Sequence, residues 1–473
     1  MSLTNFCCRS GGSNLNAGTR TGSTTEPGTA ADFTYASGNW VQATGVFTVA
    51  SGNPSSDGVA VGDFASVYAD GSTVTGFVGR VTARDATTIT VSLTSKSGTA
   101  PTNGTGNRTL KIGGAWKGPN GAEAFPYGFI ESALKNAAGD YPRINFKNDS
   151  QYNITAQMTQ STAGPVTWRG YTTAYGDGGL AVFDGGSPGT PFQLLATGGS
   201  ASNHRLIDLV FQNNGGGTTA LVNVVNVGLF FVRRCKFLNG GFGIAGGVML
   251  VECEAAGNGA NGGFLNSTNS NNTYVRCAAH DNSGPGFNWG PAGSSSLGTF
   301  IECVSFNNTG SGGHGASMNG TGSFKNCDFY NNGGTGIVFG SAALPRYVEN
   351  CNFVKNGQAG TNYGYSVSGG NVYLFNCAFG SGSQANGAGN SNITGGDASE
   401  VGSITLASGD TPWVDPANGN FEITLAACKG TGRGDFLETS PYVGTVGYPD
   451  VGAAQSKPGG LNPINGMIVS REG

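Results

Sequence analysis

The sequence carries little charge. Charged residues make up 11% of its 473 residues, against about 25% in ordinary globular domains. The formal net charge is −4 and no run of five basic residues occurs, so a long nucleic-acid-binding surface is excluded. No apolar run approaches the ~18 residues of a membrane-spanning helix, and none is expected. The 84 glycines follow no Gly-X-Y period, which excludes collagen.

The first eight residues lack both a basic segment and an apolar segment, so we expect no secretory signal peptide. They end in Cys7-Cys8, which has no second Cys-x-x-Cys or histidine-rich partner. That isolation predicts no metal site and no cofactor. Cross-linking of these two thiols and burial at an interface both stay open.

The remaining composition is polar but uncharged. Gly, Asn, Ser and Thr dominate, while 37% of residues are hydrophobic and 10% aromatic. A disordered chain would hold fewer large apolar residues. Short strands joined by many tight turns fit this composition best.

Composition shifts divide the chain into six segments. We expect a flexible N-terminal arm over 1–30, a small antiparallel β-domain for attachment over 31–112, a linker and capping helix over 113–140, a parallel β-helix over 141–410, a C-terminal coil or cap over 411–455, and a tail over 456–473. Period-two runs such as 88–93 predict the strands of the β-domain. That domain resembles small SH3-like barrels over about forty residues.

One helix is predicted, over 121–139. Phe129, Ile130, Ala133, Leu134 and Ala137 recur at helical spacing, and Gly139 supplies a C-terminal stop. A stack of coils exposes an apolar end that something must cover. The predicted role of this helix is that N-terminal cap.

A repeat of about 25 residues fills the second half of the chain. Its marker is a cysteine, and successive markers are 18, 24, 26, 24, 24 and 26 residues apart. The markers are Cys235, Cys253, Cys277, Cys303, Cys327, Cys351 and Cys377. A nearly fixed period with variable filler predicts stacked coils whose insertions lie in turns. The thiols then form one buried ladder.

An asparagine follows most markers by five residues. These are Asn258, Asn282, Asn308, Asn332 and Asn356. Stacked asparagines at a bend can hydrogen-bond from coil to coil, and they tolerate left-handed backbone angles. The residues that directly precede the first four marker cysteines alternate in charge. They are Arg234, Glu252, Arg276 and Glu302. Such alternation is expected where side chains of adjacent coils pair.

These columns resemble the pectate-lyase-like right-handed parallel β-helix superfamily, of the phage tail spike or appendage type. The phrases 165–171 and 176–185 look like an early coil of that superfamily, and 414–424 with 451–454 looks like its terminal coil. The resemblance covers about 113–455. It implies an all-β chain: a right-handed, single-stranded parallel β-helix with a small N-terminal antiparallel β-domain and one capping helix.

Catalytic candidates are sparse. Lyases of this superfamily need an acidic calcium cluster, and glycosidases need two or three neighbouring carboxylates, yet no coil offers an Asp-x-Asp or Asp-Asp pair. Glu252 and Glu254 flank Cys253, but pairing with arginine or lysine explains them equally well. His280-Asp281 is the other candidate for acid–base work. A polar turn beside the asparagine ladder is the favoured interpretation of that dipeptide.

Three aromatic residues are candidates for glycan binding, namely Trp289, Tyr330 and Tyr363. Aromatic side chains offer apolar faces on which sugars stack. Packing against neighbouring chains is the alternative for all three.

Three functions remain after these exclusions. The favoured one is a structural component of a bacteriophage particle (tail spike, fibre or head appendage), located in the virion and assembled in the host cytoplasm. Its partners would be other virion proteins, bound through the N-terminal region, and a host-surface glycan; a homotrimer follows by analogy. The alternatives are a secreted, extracellular polysaccharide lyase or glycoside hydrolase, and a bacterial surface adhesin.

Overall fold

The computed structural model describes residues 5–9, 17–18, 26–72, 77–98, 100–115, 143–154, 158–160, 166–186, 194–196, 204–214, 220–224, 230–266, 271–289, 297–309, 312–340, 345–357, 363–380, 391–393, 396–407 and 410–428. The chain forms two compact units. The first comprises Met1–Gly186, Thr190–Phe211 and Val224–Phe231, and the second comprises Ser187–Gly189, Gln212–Asn223 and Val232–Gly473. Strands are numbered β1 to β41 along the chain.

The first unit contains a closed antiparallel barrel. Its strands are β2 Phe33–Val41, β3 Val46–Thr48, β4 Phe64–Ala69, β5 Phe77–Arg84, β6 Thr88–Gly98 and β7 Gly104–Ile112. Alternate side chains such as Trp40, Phe47 and Ile89 fill its core. One helix of four residues, α1 Pro54–Asp57, begins at an Asn53 cap. The predicted antiparallel β-domain is confirmed, and its sheet is closed.

The first unit also contains early coils of parallel strands. They are β1 Asn5–Cys8, β8 Arg143–Lys147, β9 Gln151–Asn153, β10 Met158–Gln160, β11 Thr167–Tyr171, β12 Ala181–Asp184, β13 Leu194–Ala196 and β14 His204–Ile207. β1, β8, β11 and β14 pair in that order. β9 pairs with β12, and β10 with β13.

The first strand corrects the expectation of a flexible arm over 1–30. Residues Asn5–Cys8 are buried and pair with Arg143–Phe146. The ring of Phe6 lies 4.9 Å from that of Phe64 in the barrel, so this strand lies between the barrel and the next coil strand. Cys7 and Cys8 are free thiols inside this layer. The predicted helix over 121–139 lies outside the described residues.

The second unit is a stack of coils, each adding one strand to each of three parallel sheets. The first sheet contains β20 Met249–Val251, β23 Asn272–Val275, β26 Leu297–Ile301, β29 Thr321–Lys325, β32 Arg346–Glu349, β35 Gly370–Phe375 and β38 Gly396–Val401. The second contains β19 Phe242–Ala245, β22 Phe264–Asn266, β25 Phe287–Trp289, β28 Ala316–Met318, β31 Ile337–Phe339, β34 Tyr365–Val367 and β37 Ser391–Ile393.

The third sheet contains β18 Lys236–Leu238, β21 Glu254–Ala256, β24 Ala278–His280, β27 Val304–Phe306, β30 Asp328–Tyr330, β33 Asn352–Val354, β36 Ala378–Phe379 and β39 Ile404–Thr405. β15 Leu209–Gln212, β16 Ala220–Val224 and β17 Phe230–Arg233 lie at the boundary between the units. In the described residues, neighbouring strands of these three sheets are parallel, and crossover connections between parallel strands are right-handed in about 98% of cases.

Left-handed corners close each coil. The residue before each cysteine marker has a positive φ, for example 57° at Glu252 and 51° at Arg276. A second corner precedes the inner asparagine, with φ of 53° at Asp281 and 54° at Asn307. Asparagine and aspartate bear this conformation at low cost because their short side chains hydrogen-bond locally. The predicted charge alternation therefore occurs at a corner.

The predicted columns lie inside the stack. All seven marker cysteines are buried, and in the described structure none of them forms a disulfide. Asn308 shows the asparagine ladder: its Nδ2 donates to Oδ1 of Asn332 at 2.8 Å, and its Oδ1 accepts from Nδ2 of Asn282 at 2.8 Å. Aromatic rings stack beside it, with Phe329 and Phe353 5.1 Å apart. Each coil thus buries the asparagine amide and the aromatic ring of the next coil.

A C-terminal hairpin covers part of the third sheet. It consists of β40 Trp413–Asp415 and β41 Asn420–Ile423, joined by a 3-10 helix Pro416–Asn418 and followed by another at Ala426–Cys428. Trp413 and Phe421 pack on the outward side chains of Phe306 and Tyr330. In the part of the chain described, no helix is long and apolar enough to cross a membrane.

Candidate functional site

The candidate polar cluster lies on the outer face of the third sheet. Register places Lys236 beside Glu254, and Ala256 beside His280. Side chains alternate along a strand, so Phe237 and Ala255 point inward while these polar groups point outward. His280 is followed in its own column by Phe306, where the hairpin begins to cover the sheet. The cluster is therefore the uncovered end of this face.

His280 is held by two carboxylates. Its Nδ1 lies 2.7 Å from Oδ2 of Asp281, and its Nε2 lies 3.4 Å from Oε1 of Glu254. The other oxygen of Glu254 accepts from Nζ of Lys236 at 2.8 Å. The imidazole stacks on Phe306 with centroids 4.6 Å apart. These contacts leave 20% of the His280 side chain exposed.

The cluster fixes the charges of its members. Burial raises the pKa of Glu254, but hydrogen bonds from His280 and Lys236 outweigh that effect and lower it to about 2. Burial lowers the pKa of His280, whereas its two carboxylate partners outweigh burial and raise it. The folded state therefore favours imidazolium between carboxylates, a stabilisation that is complete below the ordinary histidine pKa and lost as pH rises through the raised value.

This arrangement binds charge and does not resemble a general acid–base pair. A general acid needs a proton to donate near the working pH, and Glu254 stays ionised far below neutrality. Both ring nitrogens of His280 already face carboxylates. The geometry thus favours an ion network, whereas the sequence favoured a polar turn for His280-Asp281 and left ion pairing of Glu254 as an equal alternative.

Glu252 lies apart from this cluster. It occupies a left-handed corner, and its carboxylate contacts Arg276 at 2.9 Å and Arg233 at 3.4 Å. Glu254 lies two residues further on in the third sheet. The two carboxylates that flank Cys253 therefore belong to separate ion pairs, Glu252 with arginines and Glu254 with Lys236 and His280.

Within the described residues, no group of three or more His, Cys, Asp or Glu side chains is arranged so that it could hold a metal ion. His314, one coil after His280, does not join the cluster. Its Nδ1 accepts from the backbone N–H of Thr335 at 3.0 Å, and burial lowers its pKa. It closes a turn.

The predicted aromatic platform is not on the surface. Trp289 is 1% exposed because it alternates with Asn288 and points inward with Phe287. Tyr330 points outward but is 6% exposed under Trp413 of the hairpin. Neither ring offers a free face to a sugar. Tyr363 is half-buried next to a turn, where its carbonyl accepts from the N–H of Gly336.

Three parallel sheets, left-handed corners and an internal asparagine ladder together decide the architecture. The chain has a parallel β-helix fold. No family model and no curated protein sequence matches this chain.

Solved structures similar to this β-helix protein include pectate lyase Pel9A, at 16% identity and a TM-score of 0.42, over 67% of this chain and 88% of that one. The A-module of mannuronan C-5 epimerase AlgE4 from Azotobacter vinelandii is 12% identical, with a TM-score of 0.27 over 57% and 87%. ORF18 of Geobacillus virus E2 is 14% identical, with a TM-score of 0.32 over 59% and 56%. Identities and scores this low say nothing about what this chain binds.

Sequence reasoning missed the exposed tyrosines of the β-helix. Tyr347 is 47% exposed on the outer face of the first sheet, and its ring stacks on Tyr373 of the next coil, with centroids 5.5 Å apart. A signal was available: both tyrosines lie four residues before a marker cysteine, Cys351 and Cys377. Earlier coils have Thr273, Thr299 and Ser323 at this position.

Proposed function

We propose that this protein is a structural component of a bacteriophage particle, a tail spike, fibre or head appendage, that contacts a host-surface glycan. One observation carries the proposal: in the first unit a closed barrel packs on the leading strand of a coil stack, through Phe6 and Phe64. A compact module at the head of a repetitive stack suits attachment at one end. The partners of the barrel would be other virion proteins.

The coils themselves support a mechanical role. Parallel strands, seven buried thiols and the asparagine ladder stabilise each coil through its neighbours, as in other solenoids. The seven strands of the first sheet in the second unit span about 30 Å at ~4.8 Å per step. A stack bonded in this way suits a part of a particle that must stay stiff.

Mass spectrometry of density-purified phage particles tests the assignment. We expect peptides of this chain in stoichiometric amounts, and immunogold labelling at one defined position. Deletion of the barrel, residues 31–112, should abolish incorporation while leaving the capsid proteins present. Particles that lack the chain altogether would refute the assignment. Sedimentation of the purified chain tests the trimer.

A polysaccharide lyase or glycoside hydrolase is the second candidate, favoured by the position of His280 between two carboxylates. Incubation with polygalacturonate, alginate and dextran, assayed for unsaturated products and new reducing ends, tests it. Product formation that His280→Gln abolishes would establish an enzyme. Because the charges of this cluster are mutually satisfied, we expect no product above the level of heat-denatured protein.

A further inference from the structure

The outer face of the first sheet in the second unit has an uncharged, hydroxyl-rich column that includes two stacked rings and continues to Ser399. Register aligns Met249, Thr273, Thr299, Ser323, Tyr347 and Tyr373 along successive coils. The hairpin that covers the third sheet does not involve these residues. Within the described residues this hairpin leaves the column uncovered, with Met249 41% and Tyr347 47% exposed; the column is called the strip below.

The two tyrosines lie between smaller hydroxyl side chains of this column, Ser323 on one side and Ser399 on the other. The rings of Tyr347 and Tyr373 are nearly parallel, 20° apart, and each ring follows its neighbour along the axis. One face of Tyr347 is therefore covered by Tyr373. Its other face is directed toward Ser323, a much smaller side chain. The difference in size between Tyr347 and Ser323 forms a step, and a hexose ring can occupy that step and stack on Tyr347.

Hydroxyl groups line the step. Within the described part of the chain, the side chains of Thr273, Thr299 and Ser323 make no hydrogen bond, and neither do the phenol groups of the two tyrosines. Each hydroxyl can both donate and accept. Coil spacing places these groups about 4.8 Å apart, a regular series suited to the repeating hydroxyls of an extended sugar chain.

The charged residues beside the strip indicate which class of glycan it would bind. In the adjacent outward column the charged residues are Lys325 and Glu349, and they pair with each other at 3.6 Å. Their neighbours in that column are Val275, Ile301 and Phe375. This ion pair adds no net charge beside the strip, which suits a ligand without charge.

From these features we infer that the strip from Thr273 to Tyr373 binds a neutral glycan, with one hexose stacked on the free face of Tyr347. Tyrosine gives a large amphipathic contact at low conformational-entropy cost. The site deepens the glycan contact within the proposed function, and it names a ligand class and a surface for it.

The test uses the full chain on an array of neutral and acidic oligosaccharides, followed by titration calorimetry with the tightest neutral binder. Tyr347→Ala and Tyr373→Ala should each weaken binding by roughly tenfold or more, as removal of an aromatic hot spot does. Tyr347→Phe, which keeps the ring, should lose much less. Met249→Ala is the matched control, since Met249 is 41% exposed in the same column but has no ring.

Several outcomes would overturn the inference. These are binding only to acidic glycans, no binding to any neutral glycan, and equal binding by wild type and both alanine variants. Sedimentation of the same variants tests whether a second copy of the chain occupies the strip instead of a glycan. If Tyr347→Ala dissociates an oligomer, the strip is a contact between copies of the chain. Absence from phage particles would refute the particle assignment alone, because glycan binding is measured on the purified chain.

Discussion

Asn308 shows how much one buried amide contributes in this protein. It is fully buried, accepts from the backbone N–H of Asn282, and donates to Asn332 and to the Ser305 hydroxyl. The amide thus bonds to both neighbouring coils. A buried group left without a partner costs about 1–3 kcal/mol.

Asn308→Ala should therefore lower the free energy of unfolding by on the order of 3 kcal/mol, since it leaves more than one group unsatisfied. Urea unfolding followed by circular dichroism measures this loss. Asn288→Ala is the control, because Asn288 is half-buried and makes one bond, of 3.3 Å, to the carbonyl of Asn261; it should cost less than about 1 kcal/mol. Equal losses would contradict the role of the ladder.

His204 makes the first unit sensitive to acid. It is 4% exposed and its Nδ1 accepts from the N–H of Val166. Burial lowers its pKa to about 4, although the Val166 bond opposes the shift. The unfolded chain then binds a proton that the folded chain does not. Stability contributed by neutral His204 is present above the ordinary pKa and is lost as pH falls toward 4.

Between pH 7 and pH 5, this linkage should lower the free energy of unfolding by about 2 kcal/mol. His204→Asn keeps an acceptor for Val166 and does not titrate, so its loss over the same interval should be smaller by that amount. Parallel urea titrations at the two pH values measure the difference. Identical pH profiles for the two proteins would show that His204 is protonated without cost.

At the scale of elements, the C-terminal hairpin stabilises the third sheet by covering outward aromatic side chains. Phe421 is fully buried, with its ring 5.2 Å from Phe306 and 5.1 Å from Trp413. Removal of this ring leaves a cavity and exposes apolar surface of the sheet. Large-to-small changes of this kind cost about 3–5 kcal/mol.

Phe421→Ala should accordingly destabilise the protein by about 3–5 kcal/mol and increase the binding of a hydrophobic dye. Val414→Ala lies in the same hairpin but at a residue that is 51% exposed, so it should change stability by less than about 0.5 kcal/mol. Thermal melts of both variants supply the comparison. If the Phe421→Ala protein is as stable as wild type, the hairpin contacts the third sheet without stabilising it.

The sequence predicted elements that repeat and missed those that do not. Cys303 and Asn308 belong to columns whose period is visible, so their burial followed from the repeat. Trp289 was taken for a surface ring because strands of three residues are too short for alternation to be recognised. Aligning the coils on their asparagines would have shown inward Phe287-x-Trp289 beside Ile337-x-Phe339. The hairpin lies after the last marker, where no period specifies which face Trp413 covers.

The candidate site was harder to predict than the fold. The His280-Asp281 contact follows from adjacency, but the Glu254 contact depends on which residues of adjacent coils are in register. Tyr330 illustrates the same limit: its outward direction was predictable, and its burial depends on a segment more than eighty residues later.

At the scale of the whole molecule, all ten cysteines are reduced and buried. Burial raises the pKa of the marker thiols, such as Cys303, so they stay protonated and unreactive. Cys7, whose Sγ lies 3.0 Å from the Tyr171 hydroxyl, has its pKa raised to about 11, mainly by burial. The two alternatives left open for Cys7 and Cys8 therefore resolve to burial within the chain.

A thiol reagent should label none of the ten cysteines in the native protein and all ten in denaturant. Reductant should leave the melting temperature unchanged, because there is no disulfide to break. Val61→Cys provides the control, since residue 61 is 62% exposed and its thiol should react at once. Rapid labelling of native wild type would contradict the burial of these side chains.

Because the same left-handed corners recur from coil to coil, the second unit can be built with more or fewer coils. Each coil between Cys303 and Cys351 takes 24 residues, has the same two left-handed corners, and pairs through parallel strands with the coils on either side. Duplicating residues 303–326 would therefore insert one further rung of about 4.8 Å without altering the cross-section. Duplication of the gene segment that encodes a single coil is therefore enough to lengthen the coil stack, one coil at a time.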